Sequence, residues 1–483
     1  MSPVDRRAGL PAGRAVAWDD RVRLWSDASV VLGGAPWSML RIAPAGRDFV
    51  RRLRAAGATG LVPSPGVELT LTDLLLARGV VHPVPTTAEP TAIDIVVPVY
   101  ERPEQLSACL ASLRQTAPGC RIIVVDDASR SPEVADVARA YGATVLRHDT
   151  NQGPAAARNT GLRQADSTVI AFVDADCVAE EGWLATLLPH FDDPRVGAVA
   201  PRIVARAGRP TLLARYEAAR SALDMGPRPD LVAYGAPLGF LPSATLAVRR
   251  LTLTDSPAAG FDERMRVGED VDLVWRLTDA GVMVRYEPAS VVSHEIRPEP
   301  LRWAGRIFDY GTSAAELDRR HPGRLAPARL SLWNAAAAAL MFAPWRLAGR
   351  LAAAGFVAAS AVRLARPLRG SSVDPRAAVI VTGKRLASDA AAGGHLLRRE
   401  WWPIGWLAVA LARRSRLARA ATVLMLVPPV REWLTRRPDV DLARYLALRL
   451  AEDAAYGTGV ITGAVRSRRP AVLLPRLQRP RGG

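Results

Sequence analysis

Lysine is all but missing from this chain of 483 residues: Lys384 is the one lysine among 64 Lys and Arg residues. The positive charge is therefore arginine charge, a bias of overall composition and not of any one site. Cysteine is scarce as well. Cys109, Cys120 and Cys177 are odd in number and widely spaced, which excludes a disulfide framework or a zinc site and leaves free thiols in a reducing cytosol as the expectation. No Gly-x-Gly-x-x-Gly and no P-loop lysine occurs, so neither a dinucleotide fold nor a P-loop is indicated. No apolar run reaches the roughly 18 uncharged residues that a spanning helix needs. The first seven residues are charged but no apolar stretch follows them, so no signal peptide is expected.

What is present is ample core material. Hydrophobic residues make up 49% of the chain and the mean hydropathy is +0.06, so the chain is a folded one, long enough for two or three domains. The net charge of +17 is unevenly placed. Residues 321–483 hold 27 of the 64 basic residues and 8 of the 47 acidic ones, a local charge of +19, and residues 1–320 carry −2. In that last third arginines punctuate apolar, Trp-bearing stretches: Ser331 to Trp345, Leu351 to Val362 and Trp401 to Ala412. Apolar faces with Trp333, Trp345, Trp401, Trp402 and Trp406 beside arginine suit helices lying in a membrane interface. The alternative is ordinary helices packed on a catalytic domain. A nucleic-acid tail fits the apolar stretches least, so the expected location is the cytoplasmic face of the cell membrane, with no nucleic-acid partner.

Along the chain, residues 1–90 read as a separable small α/β or winged-helix module, with apolar segments at Ser29–Leu32, Leu40–Ala43 and Leu71–Val81, a helical pattern over Ala45–Ala56, and a linker from Pro83 to Thr91. Residues 91–320 begin a strand–helix alternation. Ile93–Tyr100, Arg121–Val125, Ala143–Leu146 and Thr168–Val173 are predicted strands. Gln105–Leu113, Pro132–Tyr141 and a segment entered at Gly153 are predicted helices. Continuous apolar strands spaced this way predict an α/β, doubly wound sheet covered on both faces. Residues 321–483 follow as the basic, apolar helical region.

Ligands of such sheets lie beyond the carboxyl ends of the strands. Tyr100, Asp126, Asp127, Asp174 and Asp176 all fall there. Carboxylates gathered around one crevice repel unless something positive joins them. A divalent cation (Mg²⁺ or Mn²⁺) with a diphosphate, helped by Arg158 on the adjacent helix, balances the charge. The helix entered at Gly153 offers backbone N–H groups to an anion. Downstream, Glu269-Asp270 opens a helix. Acids there complement the helix dipole, or Asp270 acts as a general base on an acceptor hydroxyl. His294 is either a surface histidine or a third ligand to the cation beside Asp174 and Asp176.

These segments together resemble the inverting family-2 glycosyltransferases of the nucleotide-sugar-binding (GT-A) type, over roughly residues 92–320. The resemblance implies that Pro98, Tyr100 and Glu101 flank the nucleotide, that Asp127 (beside Asp126) recognises uracil, and that Arg158 lies near the diphosphate. It implies that Asp174 and Asp176 are the metal pair, Asp176 the closer ligand, and that Glu269-Asp270 is the Glu-Asp pair with Asp270 as base. Processive members carry Gln-x-x-Arg-Trp. Here Glu299-Pro-Leu-Arg302-Trp303 keeps Arg302 and Trp303, candidate acceptor contacts with Glu269, and replaces Gln by Glu. The layout of the whole chain is similar to the transferases of mycofactocin biosynthesis. That likeness implies a UDP-sugar donor, addition of β-1,4-linked glucose to a peptide-derived redox cofactor precursor, and a peptide-binding N-terminal module.

Three functions stand after this reading. One is transfer of glucose from UDP-glucose to the peptide-derived acceptor. A second keeps the chemistry and changes the acceptor to a polyprenyl phosphate or a cell-wall glycan. The third is a non-catalytic peptide-binding scaffold, which would call for damaged metal or base positions, whereas Asp174, Asp176 and Asp270 are all in place.

Overall fold

A computed structural model describes residues 9–25, 27–88, 93–206, 210–255, 259–296, 299–341, 346–365 and 376–478. Contacts divide the chain into two compact units, Met1–Gly208 with Arg220–Ile296, and Arg209–Ala219 with Arg297–Gly483. The boundary expected at 90/91 lies outside the described residues, and position 320 lies within the second unit.

The first unit opens with a small α/β module. β1 (Val16–Trp18) pairs with β5 (Val81–Pro83), and β2 (Arg23–Trp25), β3 (Val30–Gly33) and β4 (Ser38–Arg41) form an antiparallel meander. α1 (Pro44–Ala56) starts with proline at its first turn and buries Phe49, Val50 and Leu53 against Leu75 and Leu76 of α2 (Val67–Ala77). The three-residue β1, β2 and β5 are too short to show an alternation in sequence. This module does not stand apart from the rest of its unit: Arg195 reaches Asp73 at 3.0 Å and Arg21 reaches Asp230 at 2.8 Å.

The rest of the first unit is a nine-stranded sheet. β6 (Asp94–Val99), α3 (Pro103–Thr116), β7 (Arg121–Asp126), α4 (Glu133–Ala140), β8 (Thr144–Arg147), α5 (Pro154–Gln164) and β9 (Val169–Val173) give the predicted alternation. β10 (Cys177–Ala179), α6 (Trp183–Leu187), β11 (Val196–Arg206), β12 (Asp230–Val232), β13 (Thr245–Arg249), α8 (Arg250–Thr254), α9 (Glu269–Asp279) and β14 (Met283–Glu295) complete it, while α7 (Leu212–Ala219) belongs to the second unit. The strand order is β10-β14-β11-β13-β9-β6-β7-β8, with β12 on β14. β9, β6, β7 and β8 are parallel, and beyond β9 the sheet becomes mixed, with β13 antiparallel to both β9 and β11. The apolar run of β6 is continuous because both faces are covered. Ile95, Val97 and Val99 enter one cluster with Leu106 and Leu110 of α3, and Val96 enters the other with Leu162 of α5 and Leu273 of α9.

Topology places the crevice. β6, β7 and β8 step outward in one direction, then the chain returns through α5 and sets β9 on the other side of β6. The carboxyl ends of β6 and β9 flank this switch point, where an open sheet leaves room for a ligand.

The second unit is mostly helical: α7, α10 (Pro300–Thr312), α11 (Ala314–Arg320), α12 (Leu332–Met341), α13 (Arg346–Ala365), α14 (Arg376–Arg398), α15 (Trp402–Leu411), α16 (Arg416–Arg436) and α17 (Leu442–Arg466), with β15 (Arg329–Ser331) parallel to β16 (Arg476–Gln478). Trp303 and Ile307 of α10 share a core with Tyr216 of α7 and Tyr445 of α17, which is why residues 297–320 fall in this unit. α10 and α17 meet at Gly311 and Gly459, where a Cβ on either would run into the other helix's backbone. Inside, Asp453 of α17 receives both Arg398 and Arg449. α15 is different. Its ten residues, WPIGWLAVAL, carry no charge, only Gly405 is buried, and Ile404, Trp406 and Leu407 are each about half exposed. Among the described residues no helix is long and apolar enough to cross a membrane.

Candidate active site

Each chemically important group is carried to the crevice by an identifiable local cause. β6 leads into Tyr100, which is exposed, and the chain then turns through Glu101 and Arg102, both left-handed with φ of 58° and 67°. Side chains other than glycine resist that conformation. It is held here by Glu101 N–H donating to Ser129 Oγ (2.8 Å) and by Arg102 C=O accepting from Leu106 N–H (3.1 Å) in the first turn of α3. At the end of β9, Asp174 N–H donates to Ala244 C=O (2.8 Å) and Cys177 N–H to Asp174 C=O (2.9 Å), closing a tight turn that presents Asp174 and Asp176.

Antiparallel pairing of β10 with β14 sets Cys177 opposite His294 and so brings His294 beside Asp176, with Nε2 3.4 Å from Oδ1. The other oxygen of Asp176 accepts from Arg102 Nη1 at 2.8 Å. Arg158 on α5 is buried and donates to Asp174 Oδ1 (2.6 Å) and to Glu269 Oε1 (2.8 Å), joining the end of β9 to the first turn of α9. Burial works against this guanidinium, yet Asp174 and Glu269 hold it firmly charged. Asp270, next along α9, is half-buried. Its oxygens accept from the backbone N–H of Val271 (2.8 Å) and Ser243 (3.3 Å). Loss of water raises the Asp270 carboxyl above its ordinary range, and it raises Glu269 to about 7, with the Asp270 charge adding to the effect. A carboxylate so placed can take a proton near neutral pH.

Several side chains sit differently from the sequence expectation. Asp126 is fully buried, accepting from Ser129 N–H (2.9 Å) and Arg147 Nη1 (2.6 Å). Asp127 is also buried. It accepts from His148 Nδ1 (2.8 Å) and from the N–H groups of Gln152 (2.9 Å) and Gly153 (2.7 Å). The N–H groups just ahead of the helix that starts at Pro154 are thus already taken by Asp127. Arg158 has both Nη groups on carboxylates, which leaves it a strut between two acids where a diphosphate contact was expected. Glu269, expected to touch an acceptor, is buried on Arg158. Trp303 cannot stack on a sugar as expected: it is buried, edge-on to Tyr216, with Nε1 on Glu217 (2.9 Å). Arg302 is exposed on α10, Pro98 is buried inside β6, and Glu101 Oε1 accepts from Arg130 N–H (3.2 Å). The three cysteines are free and buried, and burial near Asp174 and Asp176 pushes Cys109 and Cys177 toward the inert thiol.

Sequence reasoning missed Arg102, His148 and Ser243. Arg102 had a local signal, a basic residue in the turn directly after a strand that ends in the site. Ser243 had none, since its N–H meets Asp270 across 27 residues of chain, which no local pattern declares.

The donor set of the β9 turn suits a hard divalent ion, with carboxylate oxygens and one imidazole. Two ligands cis on an octahedral ion at ~2.1 Å stand about 3 Å apart, close to the 3.4 Å between His294 and Asp176. Among the described residues no cluster of three or more acidic, His or Cys side chains is gathered with metal-binding geometry.

The family model for Glycosyl transferase family 2 matches residues 94–251. The pre-mycofactocin glycosyltransferase of Mycobacterium tuberculosis is 38% identical over 479 residues, covering 97% of this chain and 99% of that protein. The glycosyltransferase AglE of Haloferax volcanii is 26% identical over 43% of this chain and 67% of its own length. Among solved structures, the Pyrobaculum calidifontis mannosyltransferase PcManGT, determined with GDP-Man and Mn²⁺, aligns with a TM-score of 0.42 at 19% identity, covering 80% of this chain and 89% of that one. The full-length likeness, together with the match to the family model, leads to one conclusion: the chain belongs to glycosyl transferase family 2, as a glycosyltransferase of the pre-mycofactocin type.

Proposed function

We propose that the chain is an inverting hexosyltransferase that moves glucose from UDP-glucose to a peptide-derived redox cofactor precursor and extends a β-1,4-linked chain. The observation that carries the reading is Asp270: a half-buried carboxylate of raised pKa, bonded only by backbone N–H among the contacts given above, beside the Asp174–Asp176 turn at the switch point. In this role Asp270 accepts the proton of the acceptor hydroxyl. The hydroxyl oxygen attacks the sugar C1 from the face opposite the nucleotide, and the C1–O bond breaks with its electrons leaving on UDP. Arg158 holds Asp174 and Glu269 in place during this step. A divalent cation, Mg²⁺ or Mn²⁺, held by Asp174, Asp176 and His294 would neutralise charge on the departing diphosphate. The full-length relative, whose name gives pre-mycofactocin, supports this choice of acceptor.

The exposed apolar helix α15 supports a second reading of the acceptor, a lipid-linked one such as a polyprenyl phosphate, and a location on the inner face of the cell membrane. Purified protein with Mg²⁺ or Mn²⁺ and labelled UDP-glucose, UDP-galactose or GDP-mannose, offered the peptide-derived precursor or a polyprenyl phosphate, separates these. A ladder of hexose-spaced masses on the peptide-derived acceptor, abolished by EDTA and β-configured by NMR, is the expected result. Product on the lipid alone would move the acceptor. Tight peptide binding with no transfer under any donor would return the protein to a scaffold.

A further inference from the structure

Arg102 is a basic side chain of the crevice that the proposed reaction does not use. Its guanidinium donates to Asp176 Oδ2 at 2.8 Å and keeps 40% of its side-chain surface, against 13% for Asp176. Its backbone is pinned in a left-handed turn between β6 and α3, so the side chain starts from a fixed point at the switch point of the sheet. Arg158, by contrast, is buried with both Nη groups on Asp174 and Glu269, so it cannot change partners without leaving those carboxylates unpaired. Arg102 can, because its head group is half in water. The two guanidinia answer four carboxylates, Asp174, Asp176, Glu269 and Asp270, and the carboxylate that Arg102 covers is also the one beside His294.

We propose that Arg102 is an exchangeable latch on the cation site: it neutralises Asp176 in the ligand-free protein and, when a divalent ion takes that carboxylate, turns to the diphosphate of the nucleotide bound at the same sheet edge. The inference rests on the nucleotide-sugar reading above. The ion and the guanidinium compete for one carboxylate, so each weakens the other there. Once the ion is bound, the crevice gains net positive charge and the freed guanidinium becomes a donor for an anion. The latch makes ion and nucleotide bind together better than either binds alone. It keeps the site from holding a bare ion tightly in the absence of donor. Arg102 is on this account a positioning residue toward Asp176 and a binding residue toward phosphate.

The test reads binding and not turnover. Mn²⁺ affinity is measured by electron paramagnetic resonance on the full-length protein without nucleotide. UDP and GDP affinities are then measured by calorimetry at saturating Mn²⁺, for the parent, Arg102→Ala and Arg102→Lys. Arg102→Ala should bind Mn²⁺ on the order of 3- to 10-fold more tightly, the effect of removing one half-exposed charged competitor. It should bind nucleotide diphosphate roughly 10-fold more weakly. Arg102→Lys, which keeps the charge and loses the planar fork, should lie between on both measures. A role confined to supporting the fold would weaken both ligands together. Mn²⁺ binding that is unchanged or weaker in Arg102→Ala with thermal unfolding intact overturns the latch, as does a failure of Mn²⁺ to bind parent and variant alike. If GDP and not UDP shows the opposed shifts, the latch stands and the UDP reading falls.

Discussion

Asp270 and Glu269 are neighbours in sequence with opposite surroundings. One is tied to Arg158, and the other is bonded by two N–H groups and open on its remaining side. Asp270→Asn should therefore keep nucleotide affinity, since the amide can still accept from Val271 and Ser243, and should lose kcat by about 10²–10⁴-fold because it cannot accept the proton. Equal losses in affinity and rate would make Asp270 a wall of the pocket. The raised pair also sets a pH dependence of two signs. The base must be ionised, so the rate should rise with pH through an apparent pKa above that of ordinary carboxylates, in the direction in which burial shifts Asp270. Stability should move the other way. Folded protein holds the Glu269 proton to higher pH than the unfolded chain, whose value is 4.5, so stability is lost as pH rises from about 4.5 to 7. Rate and urea midpoint, each followed across that window, check both; a rate that is flat down to pH 5 would remove the pair from catalysis.

At the scale of elements, what could be read from sequence was what local chemistry decides. β6 to β9 and α3 to α5 lie within a few residues of the segments predicted from continuous apolar runs and turn residues. Asp174 and Asp176 were legible because a strand end fixes where they point. The partners of Asp127 were not, because His148, Gln152 and Gly153 lie more than 20 residues further along the chain. The neighbourhood of His294 depends on β10 meeting β14, and the burial of Trp303 depends on α10 meeting α17; both are pairings between distant segments that no local pattern declares. Trp345, grouped with the interfacial tryptophans, lies outside the described residues, and Trp333, Trp401 and Trp402 are half-buried, leaving Trp406 as the exposed one. α15 thus carries the membrane prediction. Exposed Arg413, Arg414, Arg416 and Arg419 follow its apolar residues, a pairing suited to an anionic interface. The protein should bind anionic vesicles with a blue shift of Trp fluorescence. High salt should weaken this without abolishing it, since the Debye length falls to ~3 Å at 1 M. Ile404→Asp with Leu407→Asp should remove binding and leave the fold, as both side chains are already in solvent. Vesicle binding unchanged by that pair would take α15 out of the interface.

At the scale of the molecule, the second unit is not a tail that can be trimmed. Ending the chain at Arg320 would remove α17 and leave Tyr216, Trp303 and Ile307 without their cover. Such a chain should aggregate on size exclusion, and a monodisperse one that unfolds cooperatively would show that α10 needs no α17. The same interleaving bears on how the protein is made. Tyr216 hydrogen-bonds Glu452, 236 residues further on. At roughly 5–20 residues per second, α7 leaves the ribosome about 10–50 s before its partner exists. Throughout that interval the side of α7 that packs on α17 is bare. A cell making this enzyme therefore leaves one short helix without its cover for on the order of 10–50 s, and slower synthesis lengthens that exposure.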